Sequence, residues 1–127
     1  MLKLCFIAGL GGFLGTVARF LCQYWVEQLL PTVFPLATFI VNIFGSFIIG
    51  MVYAIAEKGS LLSAEMRIFL AVGFCGGFTT FSSFSYNNLN LMKNYGMIYP
   101  LTNIGLSVFW GIVATYLGII FGKFLFK

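Results

Sequence analysis

The chain has 127 residues, of which 61% are hydrophobic and 8% are charged, whereas soluble domains carry roughly 25% charged residues. This composition predicts an integral membrane protein made of a single transmembrane domain, residues 1–127, surrounded by membrane lipid. The net charge of +4 comes from scattered cations, without the basic runs that are typical of nucleic-acid binding. Nucleic acid is therefore excluded as a partner.

The residues of common catalytic and metal sites are missing. The sequence contains no His and no Asp, so a Ser-His-Asp triad or an HExxH zinc site cannot be built. The three carboxylates all lie near the ends of apolar segments, and the three cysteines are widely spaced without a CxxC pair: Glu27, Glu57, Glu65, Cys5, Cys22 and Cys75. We therefore predict that the protein is not an enzyme and that its cysteines act as small hydrophobic residues.

Four apolar segments are long enough to cross a bilayer, which takes about 20 helical residues. They cover approximately residues 4–26, 36–56, 68–92 and 97–122. The fold class predicted is an all-α membrane protein with four transmembrane helices. The side holding both termini and the second connector carries Lys3, Lys58, Arg67, Lys123 and Lys127, against Arg19 and Lys93 on the other. This five-to-two bias of cations favours both termini on the cytoplasmic side.

The first segment combines one charge with closely spaced glycines. Arg19 either extends its side chain to the interface or attracts anions in a vestibule, and the sequence leaves both readings open. Gly11 and Gly15 form a small-xxx-small pair that allows helices to approach closely, as do Gly73 with Gly77 and Gly118 with Gly122. These pairs fit packing within one chain and packing between subunits equally well.

The second segment is uncharged but carries a polar stripe. Thr38, Asn42 and Ser46 recur at intervals of four residues and so share one face of a helix. An interhelical hydrogen bond would account for Asn42 alone. A stripe of three predicts a face that lines a pathway. Four short helices can barely surround such a pathway, so the stripe also suggests an oligomer.

The third segment contains features that a lipid-facing helix does not need. The adjacent Gly76 and Gly77 predict a break in the helix that frees backbone carbonyls, with further oxygens from Thr79 and its neighbour. Carbonyls at such a break can hold a hard cation such as Na⁺. In the fourth segment, Thr102, Asn103 and Ser107 form a weaker polar track.

Aromatic and hydroxyl side chains follow this break. Phe81 and Phe84 lie on one helical face and are interpreted as packing or as an anion path, because phenyl edges carry positive potential. Ser82 and Ser83 supply hydrogen-bond donors beside them. The segment is therefore predicted to be the working part of a transport protein.

Three motifs together resemble the bacterial fluoride channel family (Fluc/CrcB) over essentially the whole chain. They are GGFLGTVARF at residues 11–20, PLATFIVNIFGSFIIG at residues 35–50 and GFCGGFTTFSSF at residues 73–84. The resemblance implies a channel of the bacterial inner membrane that exports fluoride passively and so protects the cytoplasm. It further implies an antiparallel, dual-topology dimer with two pores and a structural Na⁺ at its centre.

The resemblance also implies roles for individual residues. Main-chain carbonyls of Gly76 and Thr79 are expected to hold the Na⁺. The fluoride pathway is expected to include the pore asparagine, the pore phenylalanines, the vestibule arginine and several hydroxyls: Asn42, Phe81, Phe84, Arg19, Ser107, Thr38, Ser82 and Ser83. Asn87 stands where several relatives carry Glu. Because the cation bias favours one orientation, a heterodimer with a paralogous subunit is the alternative to the homodimer.

Two further interpretations are weaker. A small multidrug-type exporter also has four helices but needs a carboxylate in the first span, where this chain offers Arg19, with Glu27 at the far end. A structural subunit of a membrane complex would explain the packing glycines. It would leave the Asn42 stripe and the interrupted third span unexplained.

Overall fold

The computed structural model describes residues 1–58 and 62–125, so Lys127, one of the counted cations, lies outside the described residues. Four helical spans are long and apolar enough to cross a membrane: Leu2–Leu29, Leu36–Ala56, Ala64–Tyr95 and Ile98–Leu125. The second span has the predicted bounds. The first and third spans extend beyond both predicted ends by two to four residues, because polar terminal turns continue the helices, whereas the fourth begins one residue later and ends three residues later than predicted.

The helices are labelled in chain order. The first span is α1 (Leu2–Leu29) and the second is α2 (Leu36–Ala56). The third span consists of α3 (Ala64–Arg67), a π-helix (Ile68–Cys75), α4 (Gly76–Phe78) and α5 (Phe81–Tyr95). The fourth span is α6 (Ile98–Leu125).

Local sequence explains where several helices begin and end. Pro31 follows the end of α1, and the residue before a proline is disfavoured in helical conformation. Ser63 caps α3, since its Oγ accepts a hydrogen bond of 3.0 Å from the amide of Met66. Gly96 ends α5 with a φ of 92°, a conformation that suits glycine. Only Gly96 and Met97 then separate α5 from α6.

Glycines permit two close helix pairs. Between α1 and the third span, a Cβ on Gly11 would overlap the Phe69 carbonyl oxygen. Between α2 and α6, a Cβ on Gly118 would overlap the Phe47 carbonyl oxygen. The small-xxx-small pairs therefore serve packing within the chain, which was one of the two readings left open.

Large apolar side chains cover most of the outer surface, whereas the best-buried large side chains are Val41 and Asn103. This distribution fits a protein in contact with lipid. Lipid chains solvate apolar side chains, so no hydrophobic driving force buries these side chains inside the protein. A buried asparagine between two apolar helices is expensive unless it is hydrogen-bonded. The polar interior of the protein is thus concentrated where α2, α5 and α6 meet.

Candidate functional site

The third span is interrupted at Thr79 and Thr80. Thr79 has φ −90° and ψ 158°, and Thr80 has φ −149° and ψ 118°, so both residues are extended. Gly76 and Gly77 lie in α4, and the backbone at Gly76 is helical, with φ −62° and ψ −38°. The break therefore lies within the predicted Gly-Gly-Thr-Thr stretch, at its two threonines and not at its glycines. Glycine at residue 77 serves packing, because a Cβ there would meet α1 at Thr16.

Asn42 of α2 holds the extended residues in place. Its Oδ1 accepts a hydrogen bond of 2.7 Å from the amide of Thr80, and its Nδ2 donates to the Thr80 carbonyl at 3.1 Å. One side chain thus satisfies both backbone groups of one residue, as a neighbouring β-strand would. The amide nitrogen retains a second N–H for another acceptor.

The start of α5 is capped from within the break. Thr80 Oγ1 accepts a hydrogen bond of 3.2 Å from the amide of Ser83 and lies 3.2 Å from Ser82 Oγ. The first turn of a helix carries partial positive charge from amides without intrahelical partners. The break therefore places a helix N-terminus and two hydroxyl groups side by side.

Two carbonyls at the break lose the partners that a continuous helix would provide. The amide of Thr80, four residues after Gly76, bonds Asn42 instead. The amide of Ser83, four residues after Thr79, bonds Thr80 Oγ1 instead. Gly76 is exposed and Thr79 is half-buried. The two carbonyls named for Na⁺ thus fit a hard cation, which prefers oxygen ligands of this kind.

Within residues 1–58 and 62–125, no three His, Cys, Asp or Glu side chains come together as a potential metal site. Transition metals prefer thiolate or imidazole ligands.

Arg19 contacts the end of α4. Its Nε donates a hydrogen bond of 2.9 Å to the Gly77 carbonyl, and its Nη1 donates one of 3.3 Å to Gln23 Oε1. A cation beside the C-terminal carbonyls of a helix is stabilised by the helix dipole. Arg19 therefore joins α1 to α4, the short helix that precedes the break.

Thr38 lies in a separate polar cluster. Its Oγ1 accepts hydrogen bonds from Gln23 Nε2 at 3.3 Å and from Asn87 Nδ2 at 3.0 Å. Thr38 is buried, and the cavity on which it opens, about 410 Å³, lies beneath the connector from α1 to α2. The three residues of the predicted stripe therefore do not share one environment. Thr38 is hydrogen-bonded in this cluster, whereas Asn42 and Ser46 face a groove.

That groove runs between α2, the third span and α6 and has a volume of about 410 Å³. It brings together several residues predicted for the pathway and for the cation site: Asn42, Phe81, Phe84, Ser107, Gly76 and Thr79. The remaining lining residues are Gly45, Ser46, Ile49, Ala71, Cys75, Thr80 and Val108. Arg19, Thr38, Ser82 and Ser83 are not among them. The described residues that line the groove supply hydroxyls, the Asn42 amide and phenyl rings, and none of them is charged.

The two phenylalanines form one wall of this groove. Their ring centroids are 5.7 Å apart and the ring planes are tilted by 43°. Phe81 is 78% exposed on the single chain, whereas Phe84 is half-buried. A tilted pair presents both ring edges and ring faces to its surroundings.

A second groove of about 600 Å³ shares Ser46, Ser107 and Val108 with the first. It continues along α6 past Gly111 to Thr115, Tyr116 and Ile119. The hydroxyl of Thr115 donates to the Gly111 carbonyl at 3.1 Å. The second groove therefore adjoins the first at these shared residues and lies mainly along α6, with Ser46 as its one described lining residue from α2.

Sequence reasoning missed two residues of the polar network. Gln23 joins Arg19 to Thr38, and its position four residues after Arg19 on the same helical face was a usable signal. Asn88 bonds the buried Asn103. Its place in the amide-rich run of residues 87–90 gave no indication of which amide would turn inward.

Comparison with known proteins decides the family. Residues 6–119 match the family model described as CrcB-like protein, Camphor Resistance (CrcB). The chain belongs to the CrcB family. The resemblance inferred from the three motifs is thereby confirmed, and the four apolar spans make the chain a multi-pass protein of a bacterial membrane.

Individual CrcB-family relatives are similar over nearly their whole length. A protein of Chlorobium chlorochromatii is 44% identical over 94% of this chain and 92% of its own length. One of Flavobacterium psychrophilum is 40% identical over 96% and 98%, and one of Chlorobium phaeobacteroides is 47% identical over 92% and 90%. Each of these three relatives is named a fluoride-specific ion channel, FluC.

Proposed function

We propose that the protein is a fluoride-selective channel that conducts fluoride passively through the bacterial membrane. The observation that carries this proposal is the groove at the break, where Asn42, Ser107, Phe81 and Phe84 meet and none of the described lining residues is charged. The names of the relatives support the choice of fluoride.

Fluoride is small and strongly hydrated, so a pore must replace its water with hydrogen-bond donors. The second N–H of Asn42 and the hydroxyl of Ser107 are such donors. The N-terminus of α5 adds partial positive charge at the same place. A fixed ammonium would bind the anion too tightly for it to leave, whereas several neutral donors allow passage.

A passive channel carries the ion down its gradient. Hydrogen fluoride enters cells as a neutral molecule from acid surroundings and releases fluoride in the less acidic cytoplasm. The internal concentration then exceeds the external one, so the net flow is outward. Export by this route needs no coupled ion, and no carboxylate lines the groove within the described residues.

We further propose that the working unit is an antiparallel dimer with a structural Na⁺ between the subunits. The carbonyls of Gly76 and Thr79 without their helical donors support this, since two copies would supply four oxygens. Val72, Gly76 and Phe81 are exposed on the single chain, as expected for a face that a second copy covers. When bound, the ion supplies a fixed positive charge that attracts carbonyl oxygens of both subunits and so stabilises the contact between their interrupted third spans.

Reconstitution into liposomes with a fluoride electrode tests the proposal. We expect rapid fluoride efflux and chloride efflux at least a hundredfold slower. Protein-free liposomes and liposomes that contain the Asn42→Leu variant are the controls. Equal rates for the two anions, or no fluoride efflux from wild-type protein, would reject the function.

A labelling experiment tests the arrangement of the dimer. In a background without Cys5, Cys22 and Cys75, a cysteine in place of Lys3 is exposed to a membrane-impermeant maleimide on intact cells. Labelling of about half the molecules supports dual topology and a homodimer. Labelling of all or none supports one orientation and therefore a paralogous partner.

A further inference from the structure

A chain of three polar side chains links α5 to the groove through α6. Asn103 Nδ2 donates a hydrogen bond of 2.7 Å to Asn88 Oδ1. Ser107 Oγ donates one of 3.3 Å to Asn103 Oδ1. Of the three side chains, only Ser107 lines the groove at the break, and it also lines the second groove.

Asn103 is 2% exposed and lies in a predominantly apolar helix. Burying an amide there costs free energy unless its donors and acceptors are bound. In the described part of the chain, every buried side-chain nitrogen and oxygen has a partner. The amide is therefore held in one orientation, with its oxygen towards Ser107 and its nitrogen towards Asn88.

We propose that Asn103, anchored by Asn88, is a positioning residue that keeps the Ser107 hydroxyl at the groove as an exchangeable donor for the permeating anion. This inference rests on the proposed channel function. It extends the function by giving two amides that do not line the groove, the buried Asn103 and the half-buried Asn88, control over the orientation of the Ser107 hydroxyl, which does line it.

The two distances differ in a way that supports exchange. The bond of 2.7 Å between the amides is short, so Asn103 stays fixed on Asn88. The bond of 3.3 Å from the hydroxyl to Asn103 exceeds the usual 2.5–3.0 Å for an O–H···O bond and is weak. A serine hydroxyl has one hydrogen, which can rotate about the Cβ–Oγ bond. It can therefore leave Asn103 and point at an anion without any proton being transferred.

Asn103 Oδ1 has a second effect on the groove. While Asn103 Oδ1 accepts the hydrogen of the Ser107 hydroxyl, the lone pairs of Ser107 Oγ face the groove. These lone pairs repel an anion. When an anion arrives, the hydrogen turns towards it and the amide oxygen loses only a weak bond. The arrangement binds fluoride when it is present and lets it leave at small cost, as a conducting site requires.

The test is a double-mutant cycle on fluoride efflux. Asn103→Leu has nearly the same size and removes both hydrogen bonds, and Ser107→Ala removes the hydroxyl. We expect each single variant to lower fluoride efflux about tenfold and the double variant to be no slower than the slower single variant. If the two effects multiply, Asn103 acts independently of Ser107 and the positioning role is rejected.

A matched control is available on α5. Asn94 Nδ2 donates to Asn90 Oδ1 at 3.1 Å in an exposed amide pair away from the groove. Asn90→Leu is expected to leave efflux within twofold of wild type. A tenfold loss in this variant would show that removing any amide pair of α5 is harmful and would reject the specific role of Asn103.

A second variant keeps the test decisive if Asn103→Leu does not elute as a folded protein. Asn88→Ala removes only the anchor, and we expect it to lower efflux in the wild-type background but not in the Ser107→Ala background. Wild-type efflux in this variant would overturn the inference and leave the channel function intact. Failure of wild-type protein to conduct fluoride would instead reject the proposed function itself.

Discussion

The side-chain amide of Asn42 forms two hydrogen bonds with Thr80, 38 residues later in the chain, one with its backbone amide and one with its backbone carbonyl. The side chain thereby replaces the intrahelical bonds that Thr80 gives up by being extended. Because an unpaired buried backbone group costs about 1–3 kcal/mol, the break in the third span depends on a residue of α2. The same residue lines the groove, so the shape of the groove and its chemistry are coupled.

Asn42→Leu is expected to abolish rapid fluoride efflux, with a loss of at least a hundredfold. The substitution removes both bonds to Thr80 and one potential donor to the anion. It should also lower the free energy of unfolding by about 2–3 kcal/mol, the lower end of the range of about 2–6 kcal/mol for two unsatisfied backbone groups, because Thr80 is only half-buried. Efflux and thermal unfolding in detergent measure the two effects. Thr102→Val, at an exposed hydroxyl of α6, serves as the control, and unchanged behaviour of both variants would contradict the coupling.

Arg19→Lys is expected to lower efflux about tenfold although it keeps the positive charge. Arginine reaches the Gly77 carbonyl and Gln23 at once through different nitrogens, and lysine has a single ammonium. Arg67→Lys, at an exposed arginine at the end of α3, should behave as wild type. Wild-type efflux from Arg19→Lys would show that charge alone accounts for the residue.

Phe81→Ile and Phe84→Ile are expected to impair fluoride efflux while the dimer persists. Isoleucine fills similar space but lacks the positive ring edges that an anion can contact. Size-exclusion chromatography reports the oligomeric state, and the fluoride electrode reports the efflux. Phe6→Ile, at a highly exposed ring on α1, provides the comparison. If both groove variants conduct at the wild-type rate, the two rings have only a packing role.

Gly118→Ala is expected to destabilise the protein by about 1–3 kcal/mol, the usual range for overpacking. A Cβ at Gly118 would overlap the backbone of α2 at Phe47, whereas a Cβ at Gly105 meets nothing within 4 Å. Gly105→Ala should therefore leave stability unchanged or raise it by up to about 1 kcal/mol through better helix propensity. Equal melting temperatures for the two variants would contradict the close packing of α2 on α6.

Periodicity and apolar content predicted most of the fold. The bounds of α2 follow from an uncharged run between Pro35 and Glu57, and glycine spacing indicated the faces that pack. The π-helix of residues 68–75 was not predicted. An apolar run carries no signal that distinguishes the hydrogen-bond pattern of a π-helix from that of an α-helix.

The site was less predictable, because its geometry depends on contacts between spans. Gly76 and Gly77 suggested a break, yet the extended residues are the threonines that follow them. Thr38 shares the period of Asn42, but its hydroxyl is engaged by Gln23. The roles of the predicted pathway residues in conduction remain predictions until efflux is measured.

The interrupted third span has a consequence for how the protein is made. A continuous helix over the 32 residues of Ala64–Tyr95 would be about 48 Å long, well beyond a hydrocarbon core of about 30 Å. The bonds that hold the amide and carbonyl of Thr80 come from α2, so they form only when that helix packs against the third span. A newly inserted chain whose spans have not yet assembled therefore lacks the groove. For the proposed channel, this means that a path for anions can form only after α2 has packed against the third span.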